Sequence, residues 1–217
     1  MAARQRQTYG EEVANVLTHG AGMLFGMTAI IVLMMAAIRS GNPWAIGSFA
    51  VYAVCMTLSY VTSTFYHAST HARQKRFLRR FDHGAIYLHI AGTYTPFTLL
   101  ALRQEGYWGW SLFAVIWIAA VIGVWLSFRK MRKKDHLKTV CYLAMGWVVI
   151  IAFKPLLHVF RETGSMNVLY WLIGGGLFYT VGCLFFFLDK YKYMHPVWHF
   201  FVLGGSICHF ISIYLLV

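Results

Sequence analysis

Seven apolar runs, each close to 20 residues long and bounded by charged or turn-forming residues, divide this chain from end to end: Val16 to Ile38, Trp44 to Tyr66, His83 to Leu102, Trp108 to Phe128, Val140 to His158, Val168 to Leu188 and Trp198 to Val217. About 20 apolar residues is the length of a helix that crosses hydrocarbon. A spanning segment must also satisfy its backbone polar groups internally, so each run is expected as a helix. The expected fold is therefore an all-α integral membrane protein, a seven-transmembrane helix bundle in which one membrane domain takes up residues 1–217. Composition agrees, with 59% hydrophobic and 12% charged residues and a mean hydropathy of +0.58. A soluble domain carries about a quarter charged residues. The third and fifth runs are the least regular, since polar residues, glycine and proline interrupt them.

The charge pattern orients the bundle. Of 19 Lys and Arg residues, only Arg39, Arg103, Lys154 and Arg161 fall on one side. The rest crowd the N-terminal tail (Arg4, Arg6), the second loop (Arg73 to Arg80), the fourth (Arg129 to Lys138) and the sixth (Lys190, Lys192). By the positive-inside rule the N-terminus is cytoplasmic, and an odd number of spans places the C-terminus outside. The net charge of +12 thus reflects orientation and anionic headgroups rather than nucleic acid. Acidic as well as basic residues precede the first run and six runs follow it, so a cleaved signal peptide is not expected. Cys55, Cys141, Cys183 and Cys208 all lie in apolar runs without a C-x-x-C pair, and are read as buried thiols, neither disulfide-bonded nor metal-binding.

Against this apolar background stand three polar clusters: Ser63-x-x-x-His67, Asp82 in Phe81-Asp82-His83, and His195-Pro196-Val197-Trp198-His199. Ionisable groups near hydrocarbon are costly and mark functional positions. The expected topology puts His67 at the cytoplasmic end of the second span, and Asp82, His195 and His199 at the cytoplasmic start of the third and seventh. They share one depth. Glu12, Asn15 and His19 join that level from the first span, spaced i, i+3, i+7 along one helical stripe. His195 and His199 are one turn apart on one face, and Pro196 suits a first helical turn, where its missing donor is not needed.

Imidazole suits zinc, and three protein ligands with an open fourth position is the arrangement of catalytic zinc sites. His67, His195 and His199 are the candidate ligands, and zinc the expected cofactor. The ion would lower the pKa of a coordinated water to about 7. Asp82 is the candidate to accept its proton, and Ser63 to hydrogen-bond the water or a developing oxyanion. Glu12 and His19 read either as a supporting network behind the ligands or as a helix-start cap and its partner. His89, seven residues past Asp82, is placed to line a cavity deeper in, and both it and His209 read as satisfied core histidines. His71, His136 and His158 take no role, and His83 is expected to point away from Asp82. Gly22-x-x-x-Gly26, Gly174-Gly175-Gly176 and Gly204-Gly205 are expected at close helix contacts. Pro96 is expected to kink the third span and free a carbonyl or two.

Taken together, Glu12-x-x-Asn15-x-x-Thr18-His19, Ser63-x-x-x-His67, Phe81-Asp82-His83-Gly84-Ala85, Ala91-Gly92-Thr93-Tyr94-Thr95-Pro96 and His195-Pro196-x-Trp198-His199 make the chain resemble the bacterial hemolysin III family. That family lies within the wider progestin and adipoQ receptor group and is related to alkaline ceramidases. The resemblance runs over essentially the whole chain. It implies seven helices with the N-terminus inside, a zinc ion on the histidines matched by His67, His195 and His199, and an acid, matched by Asp82, that contacts zinc-bound water. Receptor and ceramidase relatives look like zinc amidases of ceramide. Hormone reception is not carried over, because the long cytoplasmic N-terminal region of the receptor branch has no counterpart here, and the scarcity of ceramide in bacteria leaves the substrate open.

Three functions follow as expectations: a zinc-dependent hydrolase of a lipid amide or ester in the cell membrane, a pore-forming cytolysin, or a transporter or regulator of membrane energetics using Asp82, Glu12, His19 and His89 as proton-relay groups. Membrane lipids are the expected partners in each case.

Overall fold

A helix that faces lipid should expose its bulky apolar side chains and bury its small and polar ones, the reverse of a soluble helix. The first helix does so. In the computed structural model, which describes residues 7–129 and 135–217, α1 (Tyr9–Ser40) buries Asn15, His19, Gly22, Gly26 and Ala29. It exposes Leu17, Leu24, Ile31 and Ile38, seven residues apart, by 60–67%. Arg4, Arg6 and the Lys130 to Lys134 cluster, counted in the orientation argument, lie outside the described residues, as does the side chain of His136.

The remaining elements are α2 (Pro43–Ala68), α3 (Ala72–Pro96) with a π-helical turn at Phe97–Ala101, α4 (Trp108–Phe128), α5 (Asp135–Trp147), a 3₁₀ segment at Val148–Ala152, α6 (Phe153–Glu162), α7 (Met166–Phe187) and α8 (Met194–Tyr214). No strand occurs among the described residues. Six stretches are long and apolar enough to cross a membrane: α1, α2, α4, Leu137–Glu162, α7 and α8. The expected third span falls on α3 and its π turn. That helix begins eleven residues before His83, so Arg73 to Arg80, read as a loop, are helical. Helix α3 is not among the six stretches, and it extends beyond the apolar run at its N-terminal side.

Neighbours in sequence pack side by side from α1 to α4, and α8 returns between α7 and α1, which brings the first and last helices together. The α1–α2 turn is set by Gly41 at a left-handed φ of 65° and by the Asn42 side chain, which accepts from the Trp44 N–H at 3.0 Å. Gly22 and Gly26 permit the α1–α2 contact. A Cβ on Gly22 would stand 2.3 Å from the Tyr60 ring, and one on Gly26 2.5 Å from Thr57 Oγ1.

Two departures from regular helix have local causes. After Pro96, which cannot donate, the Leu102 N–H reaches back to the Phe97 carbonyl (3.0 Å). Thr95 and Thr98 hydroxyls donate to the carbonyls of Ala91, Tyr94 and Thr95. The expected kink is thus a π turn. The expected fifth span is broken at residues 148–152, where the Tyr94 hydroxyl replaces the missing helical bonds. It accepts from the Val149 N–H at 2.8 Å and donates toward the Gly146 carbonyl at 2.7 Å, with the Met145 carbonyl at 3.1 Å. Buried backbone groups need such partners.

The cysteines divide. All four are free thiols; Cys55 and Cys208 are buried, Cys183 is half-buried, and Cys141 is exposed on α5. The expectation of four buried thiols fails at Cys141, because in a membrane helix an apolar run also supplies the outward face.

Candidate metal centre

The end of the bundle where α1 begins gathers the polar clusters. His67 comes from the last turn of α2, and His195 and His199 from the first two turns of α8. All three are buried, and one ring nitrogen from each lies within 4.8 Å of the others. Zinc–nitrogen bonds of about 2.0–2.1 Å require only a modest contraction of that spacing.

Hydrogen bonds settle which nitrogens face the shared space. His67 Nδ1 lies 2.8 Å from Glu12 Oε2, so Nδ1–H donates to the carboxylate and Nε2 keeps its lone pair. His199 Nδ1 lies 3.3 Å from Thr18 Oγ1. Thr18 directs its own proton to the Ala14 and Asn15 carbonyls, so His199 Nδ1–H is the donor there. Its Nε2 also keeps a lone pair. Both Nε2 atoms are buried without a protein partner. Two buried imidazole lone pairs oriented from behind by a carboxylate and a hydroxyl are a donor set that could hold a metal ion. Glu12 is fixed in turn by Lys75 at 2.7 Å, whose Nζ also donates to the carbonyls of His67 and Ser69.

Helix entry geometry places the α8 histidines. Tyr193, with φ 63°, is the only non-glycine in the left-handed region among the described residues. Such a residue persists where its surroundings hold it. Here Glu11 Oε1 accepts the Tyr193 N–H at 2.9 Å, while Glu11 also closes a capping box with Thr8 at the start of α1. Pro196 is the third residue of α8. Glu11 and Lys75 have no site role from sequence, and Thr18 enters only within the motif Glu12-x-x-Asn15-x-x-Thr18-His19. Glu11 leaves its own signal there, the Thr8-x-x-Glu11 pattern of a capping box.

The other candidates surround the trio. His19 stacks on His199, ring centroids 3.5 Å apart and 24° between planes. Asn15 is fully buried and donates to Gln7 at 2.8 Å. Ser63 is buried within side-chain hydrogen-bonding reach of Asp82. Asp82 and His195 line one small hollow of about 30 Å³ together with Arg79 and Lys138. His83 lines it too, with Lys138 Nζ 2.9 Å from its Nδ1, so this histidine does not point away from the site. His89 and His209 both line a larger cavity.

That cavity, about 470 Å³, begins at Asp82, His19 and Trp198 and ends at Leu102, Leu156 and Leu169. Along α3 its wall runs from Asp82 to Phe97, about 22 Å at 1.5 Å per residue. Most of its lining is apolar: Ile86, Ile90, Leu112, Leu143, Leu172 and Val202 among others. An elongated, mostly apolar space that opens beside polar groups at one end and carries a few more along its wall has the volume and character of a small-ligand site.

The Glu12→Gln variant tests the role of the α1 carboxylate. Removing the acceptor charge behind a ligand histidine is expected to weaken zinc affinity about 10–100-fold, read by competition with a chromogenic chelator. Unchanged affinity would separate Glu12 from the metal centre.

Residues 7–210 match the family described as haemolysin-III related. Hemolysin-3 of Bacillus cereus is 41% identical over 210 residues, 97% of this chain and 93% of the relative. The Hemolysin-3 homolog of Bacillus subtilis (strain 168) is 40% identical over 206 residues, 95% of this chain and 94% of the relative. With six membrane-competent helices and a match over nearly its whole length, the chain is a multi-pass membrane protein of the haemolysin-III-related family.

Proposed function

We propose that the chain is a zinc-dependent hydrolase of a lipid amide or ester, working at the cytoplasmic end of a seven-span bundle with its N-terminus inside. The observation that carries this reading is that Asp82, which lines the small hollow with His195, also lines one end of the apolar cavity, together with His19, whose ring stacks on that of His199. The cavity suits an acyl chain, and the cluster lies behind these two residues, beside the end where the chain's head would sit. His67, His195 and His199 would hold the ion, which when bound polarises a carbonyl and makes water a better nucleophile.

The protein's own groups divide the remaining work. Asp82, beside His195 and within reach of Ser63, takes a proton from the attacking water as that water adds to the carbonyl carbon. It returns the proton to the leaving nitrogen or oxygen as the carbon–heteroatom bond breaks, yielding a carboxylic acid and an amine or alcohol. Ser63 holds Asp82 in place, Glu12 fixes the ring of His67, and His19 covers the face of His199. Ile150, Phe153 and Ile173 line the cavity and are themselves 61%, 39% and 38% exposed. They mark an entrance from the bilayer beside the broken fifth span, through which a lipid reaches the site.

Purified protein in nanodiscs is expected to release fatty acid from an N-acyl amide or acyl ester lipid, to lose that activity with a zinc chelator, and to regain it with zinc. Release that persists in the chelator, or its absence across both lipid classes, would count against a metal hydrolase. The name Hemolysin-3 borne by the relatives favours pore formation as the second reading. Dye leakage from liposomes carrying the protein supports it only where it survives loss of the metal ligands.

A further inference from the structure

Halfway along the apolar cavity the wall turns polar again. Ser206, fully buried on α8, receives the Tyr60 hydroxyl at 2.7 Å and lies 2.8 Å from the Tyr179 hydroxyl. The Tyr52 hydroxyl donates to the Ser206 carbonyl at 3.3 Å. Tyr60 gives its proton to Ser206 Oγ, with the Val202 carbonyl a longer second acceptor at 3.5 Å. Either partner of the Ser206–Tyr179 pair can be the donor. With Ser206 donating, the buried protons of Tyr60 and Ser206 are both used and the Tyr179 proton is available to the cavity that Tyr179 lines.

An acceptor stands beside this donor. His209 also lines the cavity, and its ring centroid is 5.4 Å from that of Tyr179. Its Nε2 donates to the Leu172 carbonyl at 3.2 Å, which leaves the lone pair on Nδ1, buried and without a protein partner. His89, 6% exposed and lining the same stretch, carries an Nε2 that likewise has no partner. Glycines seat two of these rings, those of His209 and Tyr179. A Cβ on Gly175 would stand 2.1 Å from His209 Cδ2, and one on Gly205 2.9 Å from the Tyr179 ring.

A wall needing only to hold hydrocarbon gains nothing from donor and acceptor groups at this depth, where an unmatched polar group is expensive. We propose that Tyr179, His209 and His89 form a second polar subsite that takes an oxygen-bearing carbon, a hydroxyl above all, in the middle of an otherwise apolar acyl chain. This rests on the reading of the cavity as the acyl-chain site. A hydroxyl is the group that both accepts, from Tyr179, and donates, to His209 Nδ1. Its position along the chain follows from the helix. Ser206 and His209 lie seven and ten residues beyond His199, about 10 and 15 Å at 1.5 Å per residue. An extended chain advances about 1.3 Å per carbon given its 1.5 Å bonds, so the subsite meets roughly the eighth to twelfth carbon from the head.

Equilibrium binding of radiolabelled 12-hydroxyoctadecanoate, 2-hydroxyoctadecanoate and octadecanoate to the purified full chain tests this. The 12-hydroxy acid is expected to bind about tenfold more tightly than the other two, the size of one net hydrogen bond. In Tyr179→Phe, which keeps the ring, that preference is expected to vanish while octadecanoate affinity is retained. Equal binding of the three acids by the wild type overturns the subsite whatever the variant does, and leaves the acyl-chain reading standing. A preference that persists in Tyr179→Phe overturns the assignment to Tyr179. Binding of none of the acids overturns the acyl-chain reading and the subsite with it.

Discussion

Replacing His195 and His199 together by alanine is expected to take zinc from about one ion per purified chain to the background of a metal-free control. Three protein ligands are the minimum in catalytic zinc sites, and this change leaves one. The wild-type ion also stabilises the fold by mass action wherever it is bound in excess of its dissociation constant, so a chelator should lower the melting temperature of the wild type. It should leave that of the double variant unchanged. This second comparison distinguishes a lost site from a misfolded chain, because a folded variant still melts cooperatively. Retention of stoichiometric zinc would move the metal elsewhere.

Asp82→Asn should separate chemistry from metal binding. The amide keeps the shape of the carboxyl and its reach to Ser63 but cannot accept a proton from water. Loss of a positioned general base costs about 10²–10⁴-fold, so lipid hydrolysis by this variant is expected to fall by that range while zinc content stays at the wild-type level. Ser63→Ala should cost less, since Ser63 positions Asp82 and takes no proton itself. If Asp82→Asn turns over at the wild-type rate, the base is another group. If it loses zinc, Asp82 belongs among the ligands.

Much of this site is legible in the sequence because helices convert spacing into direction. His195 and His199 had to share a face, and the buried stripe of α1 contains Asn15 and His19 where their spacing put them. Depth was legible too: the alternation of basic loops set His67, Asp82 and the α8 pair at one end before any contact was known. What spacing cannot give is lateral order. That α8 closes against α1, so that Thr18 backs His199 and His19 stacks on it, follows from packing between helices far apart in sequence.

Other features stayed hidden for related reasons. Lys75 reads as one positive charge among several, and only the fold shows it holding Glu12. His209 reads as a satisfied core residue because nothing in its neighbourhood reveals that one nitrogen is bonded and the other is not. The break in the fifth span depends on Tyr94, some fifty residues earlier, whose hydroxyl makes an interrupted helix tolerable in lipid. An apolar run from Val140 to His158 carries no trace of that partner. Periodicity reports what a segment prefers alone, whereas the 3₁₀ break, the cavity beside it and the polar groups at mid-depth arise from contacts between segments.

Zinc K-edge absorption spectroscopy of the purified wild-type protein tests the metal centre most directly. The expected spectrum shows about one zinc per chain, four-coordinate, with nitrogen and oxygen neighbours at about 2.0–2.1 Å and imidazole scattering from three rings. A sulfur shell at about 2.3 Å, or protein without zinc after growth and purification in its presence, would contradict a centre built from His67, His195 and His199.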